Sequence, residues 1–150
     1  MGVEVPSHEG SYPAVNPGLG LGAEAGNKVL SKILDYYTTL HFLNEIGDIN
    51  PGTVVTHTTQ VLASSFGLKP NNEIQGLGPI TIYPVDFFNP FDDLTGVMNK
   101  TKNTRSIHWF SKSWIDKPSW YFSITRIIHR FFGVRFLVSI KSLLGIKKGS

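Results

Sequence analysis

The run Asn103-Thr-Arg-Ser-Ile-His-Trp-Phe-Ser-Lys-Ser-Trp114 gathers the side chains of this 150-residue sequence best suited to chemistry. His108 offers an imidazole, which ligates a divalent metal when neutral and donates to phosphate oxygens when protonated. Ser113 and Trp114 add a hydroxyl and a flat indole. Ile107, Trp109 and Phe110 supply β-favouring bulk and Ser111-Lys-Ser113 interrupts it, so the run is predicted as a short strand opening into a loop. From spacing alone, one His among aromatics is more simply a half-buried structural residue than a ligand.

The segment Thr104 to Trp114 resembles the C-terminal signature of the family 32 glycosyltransferases, whose members carry Thr-x-Ser-Ile-His-His-x-x-x-Ser-Trp. Ser106, Ile107, His108, Ser113 and Trp114 match, and Trp109 stands where the family has a second His. Two further stretches resemble the family in the same order. Asn16-Pro-Gly-Leu-Gly-Leu-Gly-Ala-Glu-Ala-Gly-Asn27 is similar to the segment that follows the family's Asp-x-Asp strand, and Ile82-Tyr-Pro-Val-Asp-Phe-Phe-Asn-Pro90 to its Tyr-Pro-x-x-Phe-x-x-Pro element.

What the resemblance implies is an α/β chain. Residues 1–116 would form the C-terminal half of a GT-A (nucleotide-diphospho-sugar transferase) catalytic domain, followed by a basic amphipathic helical tail over 117–150. The implied activity moves a sugar from a nucleotide-sugar donor to a polysaccharide or lipid-linked glycan acceptor, as in capsular polysaccharide synthesis. A Mn²⁺ (or Mg²⁺) ion would act as a Lewis acid on the leaving diphosphate, with His108 among its ligands. Ser113 and Trp114 would line the diphosphate side, Asn16 and Gly18 the sugar side, and Thr59 and Gln60 the catalytic acceptor face. The sequence contains no Asp-x-Asp. The expected consequence is weak donor binding and slow or no turnover, and the alternative is a non-catalytic remnant or accessory membrane-associated module lacking the Asp-x-Asp half. Asp92-Asp93 follows Pro90 and reads as a solvated turn rather than a substitute.

Several elements must position these groups. Leu19 and Leu21 alternate with Gly18, Gly20 and Gly22, which suits a tight extended segment that a ligand or a second backbone can approach closely. Asn27 caps a predicted helix whose apolar side carries Val29, Leu30, Ile33, Leu34, Tyr37 and Leu40 at three- and four-residue intervals. After the break at Gly47-Asp-Ile-Asn-Pro-Gly52, Val54 to His57 lead into a second helix predicted over 58–66 and closed by Gly67. Free N–H groups at that helix start would suit an anion, and hydroxyls there also serve as caps. Gly78 to Tyr83 reads as a strand stopped by Pro84, and Phe87, Phe88 and Phe91 as an aromatic cluster packing the edge of the domain.

Beyond Trp114 the character changes. Trp120, Ile124, Ile127, Ile128 and Phe131 form one stripe against Arg126, His129 and Arg130. Past Gly133, Phe136, Leu137, Ile140, Leu143 and Leu144 form another. Two amphipathic basic helices are expected, suited either to an anionic membrane interface or to packing on the body of the protein.

Composition bounds the rest. Hydrophobic residues make up 41% of the chain, which places it among globular proteins rather than disordered ones. The absence of cysteine excludes disulfides and thiolate metal sites. The net charge of +3 hides an asymmetry: from Lys117 onward there are seven Lys or Arg and no acid, against seven Lys or Arg and eleven acids before it. These cations are interleaved with long aliphatics rather than grouped on a polar face, so no nucleic-acid partner is expected. With no apolar leader at Met1 and no apolar run of spanning length, the expected location is cytoplasmic, peripheral on the inner face of the plasma membrane.

Overall fold

Val3 and Val15 meet at the centre of the first strand pair. Strand β1 (Gly2–Glu4) runs antiparallel to β2 (Ala14–Asn16), with Val3 opposite Val15 and both side chains buried. The structure, a computed structural model, describes residues 1–4, 12–43, 46–110 and 119–133. A second antiparallel pair joins β3 (Gln75–Gly76) to β4 (Thr81–Ile82), in the register Gln75 to Ile82 and Gly76 to Thr81. A parallel bridge between Gly2 and Tyr83 links the pairs, reinforced by the Tyr83 N–H donating to the Met1 carbonyl at 2.9 Å. The chain is therefore a mixed α/β protein in which β1 lies between β2 and the end of β4.

Helix α1 (Lys28–Tyr37) begins where the sequence predicts. Asn27 Oδ1 accepts from the N–H groups of Val29 and Leu30 at 3.0 and 3.3 Å, satisfying two of the donors that a helix start leaves open. Its apolar side is narrower than the spacing suggests, because Val29 and Ile33 are buried while Leu34 is 66% exposed. Asn27 also donates through Nδ2 to the Pro79 carbonyl at 3.1 Å, tying the helix start to the turn between β3 and β4.

Helix α2 (Val54–Phe66) starts four residues earlier than predicted. Val54 to His57 are its first turn rather than a lead-in. Thr53, directly after the Asn50-Pro-Gly52 break, caps it through Oγ1 on the Thr56 N–H at 3.2 Å, and that cap outweighs the modest helix penalty of two valines. The far end is as predicted: Gly67 adopts φ 73°, and the Leu68 N–H returns to the Leu62 carbonyl at 3.2 Å. Val61 and Leu62 sink into the core with Val3, Val15, Val29, Ile33, Leu68, Leu77, Ile80 and Ile82. Burying each such aliphatic contributes about 1.5–3 kcal/mol, and α2 lies directly against β2 and α1.

Two other expectations are corrected. Pro17–Leu19 is a 3-10 turn rather than an extended segment, because Asn16 Oδ1 accepts from the Gly18 N–H at 2.7 Å and Pro17 supplies the helical φ at its first position. Residues 103–110 form no strand. They are held instead against the short helix α3 (Val85–Phe88): the Arg105 N–H donates to the Phe87 carbonyl at 2.7 Å and Thr104 Oγ1 to the Asp86 carbonyl at 2.7 Å. Asp86 Oδ2 in turn accepts from Thr101 Oγ1 at 2.7 Å. Bonds to helix-end carbonyls and a carboxylate have replaced the ladder that β-favouring side chains suggest.

The expected aromatic cluster divides in two, Phe87 and Phe88 packing with Tyr83 and Phe91 packing with Trp109. Tyr83, Phe87 and Phe88 meet in tilted or edge-on pairs at centroid distances of 5.0, 5.5 and 6.2 Å, and Phe91 meets Trp109 at 5.5 Å. Asp92 and Asp93 are more engaged than a solvated turn implies. Asp92 accepts from the Leu94 N–H at 2.9 Å and from Thr95 Oγ1 at 2.6 Å, and Asp93 pairs with Arg126 at 2.8 Å. Helix α4 (Ser119–Phe132) realises the first amphipathic stripe. The second, over 136–144, lies outside the described residues. Among the described residues no helix is long and apolar enough to cross a membrane.

Candidate functional site

Along α2, Val55, Thr59 and Ala63 form one row at four-residue spacing, and Thr56, Gln60 and Ser64 a second row beside it. Residues four apart on a helix lie on the same face, so the two rows make one strip of small and polar side chains. Tyr12 and Ala14 close the strip from the entrance to β2, and the space between has a volume of about 550 Å³. Among the described residues, no charged side chain lines it.

Two of its polar groups have fixed orientations. Thr59 Oγ1 accepts from the buried Val15 N–H at 2.9 Å, which clamps β2 to α2 and leaves the hydroxyl proton as a donor. Gln60 Oε1 accepts from Tyr36 Oη at 3.2 Å, so the acceptor end of the amide is engaged by α1 and the Nε2 end has donors for a ligand. Behind this contact His57 sits between Tyr36 and Tyr37, with both ring centroids 5.7 Å away. Burial, reinforced by the neighbouring Tyr36, pushes the Tyr37 phenol above its ordinary value of 10.0.

Thr59 and Gln60, the expected catalytic pair, thus share one cavity. Their setting differs from the expectation in one respect. Because α2 begins at Val54, both lie in its second turn, where backbone N–H groups bond within the helix, and only side chains are offered to a ligand. The sequence reading missed Tyr12, Thr56 and Ser64, although the four-residue rows of small and polar residues were visible between Val55 and Ser64.

Asn16 and Gly18 adjoin this region on β2 and the following turn but do not line the cavity. Asn16 uses both ends of its amide within the chain, accepting from the Gly18 N–H and donating to Glu4 Oε1 at 2.6 Å. A side chain at Gly18 would bring its Cβ to 3.0 Å from Asn16 Oδ1, so the glycine serves this cap. The later glycines of the same stretch border a second space of about 490 Å³, walled by Gly20, Leu21, Gly22, Tyr83 and Phe88.

His108 lies on the loop held by α3, exposed, with its ring 4.1 Å from that of Phe110. Phe110 itself takes φ 48°, a left-handed conformation costly for an aromatic residue. Among the described residues no group of three or more His, Cys, Asp or Glu is gathered to hold a metal ion. One imidazole is an incomplete donor set for a hard cation that prefers oxygen, so an ion at His108 would need further oxygen ligands. Ser113 and Trp114 lie outside the described residues. Compared with protein-family models, with curated proteins and with solved structures, the chain finds no match.

Proposed function

We propose that this chain serves glycosyl transfer, and that the α2 cavity holds a sugar unit of a polysaccharide or lipid-linked glycan acceptor. The observation that carries this reading is the shared cavity of Thr59 and Gln60, the two residues that the resemblance to family 32 glycosyltransferases assigns to the acceptor face. Its chemistry is consistent with that role. A cavity whose described lining offers hydroxyls, an oriented amide and a flanking aromatic ring, and no charge, suits a neutral polyol, which offers alternating hydroxyls and apolar C–H faces. A diphosphate would require cationic or backbone N–H partners, and the described lining offers no cationic side chain. In the same reading β1 to β4 with α1 and α2 belong to a GT-A catalytic domain, and a nucleotide-sugar donor with Mn²⁺ or Mg²⁺ lies on the side of His108.

The test is a titration of the chain with neutral mono- and oligosaccharides, and separately with UDP- and GDP-sugars in the presence and absence of Mn²⁺. Saccharide binding is expected to weaken by about tenfold in Gln60→Ala, the loss of one to two hydrogen bonds. Metal-dependent nucleotide-sugar binding is expected to disappear in His108→Ala. A folded chain that binds no saccharide, or binds one equally well as Gln60→Ala, overturns the acceptor reading. The lack of Asp-x-Asp in these 150 residues favours a second reading, a non-catalytic remnant or accessory membrane-associated module without turnover. Saccharide binding with no response to any nucleotide-sugar would select it.

A further inference from the structure

Helix α4 is mounted with Arg126 and His129 inward, beside Phe122 and a half-buried Ile128, and with the rest of its apolar stripe outward. At about 100° of rotation per residue, Trp120, Ile124, Ile127 and Phe131 fall within a sector of roughly 60°. Their exposures are 62%, 48%, 57% and 76%. On the opposite side Phe122, Thr125, Arg126 and His129 are half-buried. Arg126 donates to the Asp93 carbonyl and carboxylate at 3.1 and 2.8 Å and lies 5.1 Å from the centroid of the Phe91 ring. His129 Nδ1 is 3.3 Å from the Leu94 carbonyl oxygen. A helix packed on a protein in water ordinarily does the reverse, burying its apolar stripe and solvating its charges.

We propose that the outward stripe of α4 docks into the interfacial layer of a bilayer rich in anionic lipids, with the helix axis in the membrane plane. The inward polar contacts hold the stripe in place for that surface. Fourteen helical residues reach about 21 Å, too short for the hydrocarbon core but well matched to lying along its boundary. Trp120 suits the headgroup level, and Arg130, exposed, borders the stripe where lipid phosphates would sit. Charge complementarity selects lipid over a second copy of the chain. From Lys117 to the end the sequence holds seven cations and no acid, and with Arg126 turned inward to Asp93 six remain, so apposing two such segments would set like charges together, whereas an anionic surface attracts them. This inference stands apart from the sugar-transfer reading.

The test is co-sedimentation of the full chain with vesicles of phosphatidylcholine alone and of phosphatidylcholine with phosphatidylglycerol, at low and high salt. The chain is expected to sediment with the anionic vesicles and to be released by salt. Ile124→Glu with Ile127→Glu should abolish sedimentation, and Phe131→Glu alone, in case the pair disturbs folding, should weaken it strongly. Arg130→Gln should weaken it about fivefold, the share of one cation near an anionic surface. Circular dichroism would confirm that each variant is folded. Failure to sediment, or equal sedimentation of the folded glutamate variants, overturns the proposal. So does a dimer that the glutamate pair dissolves, in a chain that ignores vesicles.

Discussion

At the scale of single residues, Thr59 has two duties that pull in different directions as evidence. Its hydroxyl lines the α2 cavity and also accepts the N–H of Val15, a residue with no exposed surface. Removing the oxygen leaves that buried donor unpaired, and the desolvated N–H carries its penalty whether or not a ligand exists. Thr59→Val is therefore expected to lower unfolding free energy by about 1–3 kcal/mol, read from a denaturant midpoint, while Thr59→Ser, which keeps the oxygen, stays within about 1 kcal/mol of the parent. A loss for Thr59→Ser with none for Thr59→Val would show that the methyl group, not the Val15 bond, holds β2 to α2. The same argument makes Gln60 the cleaner probe of binding. Its one fixed bond goes to the exposed hydroxyl of Tyr36, so its loss should spare the fold.

At the scale of elements, what could be read from the sequence follows how local each determinant is. Helix α1 was legible because its cap, Asn27, and its stripe of Val29 and Ile33 are written within a dozen residues. The start of α2 was hidden because Val54 and Val55 are β-branched, and only the Thr53 cap reveals that the turn before Thr58 is already helical. Thr53→Ala is accordingly expected to cost about 1 kcal/mol and to increase amide exchange in the first turn of α2, leaving α1 unchanged. An unaltered first turn would assign the early start to packing instead. Residues 103–110 misled for a different reason. Side-chain bulk at Ile107 and Trp109 favours a strand, but a strand also needs a neighbour to complete its ladder, and here the backbone bonds to α3. The cavity was only partly legible: Thr59 and Gln60 were named from a resemblance rather than from the helix rows that bring them together, and Tyr12 comes from a distant part of the chain, brought to α2 by the pairing of β1 with β2.

At the scale of the whole molecule, the periodicity of 120–131 identified an apolar stripe but could not say which side of α4 meets the body. That choice depends on Phe91, a buried ring with Trp109 at 5.5 Å on one contact and the Arg126 guanidinium at 5.1 Å on another. Arg126 also closes over Gly96, whose φ of 70° keeps the Asp92-to-Val97 turn tight and its own Cβ position vacant for the arginine stem. The ion pair to Asp93 is partly shielded, with side-chain exposures of 27% and 16%, so it counts for more than a surface pair and is still screened by solvent. Together these contacts are expected to hold α4 by about 1–3 kcal/mol, a local rather than a global stability. Arg126→Ala should then raise hydrogen exchange across α4 by about tenfold or more while α1 and α2 keep their protection, and the global melting midpoint should move little. Arg126→Lys should restore only part of the protection, because an ammonium cannot both span the Asp93 carbonyl and carboxylate and reach the face of the Phe91 ring. If exchange in α1 and α2 rises in step with α4, the helix belongs to the same cooperative unit as the core, and the polar seam is not what fixes the direction of its apolar face.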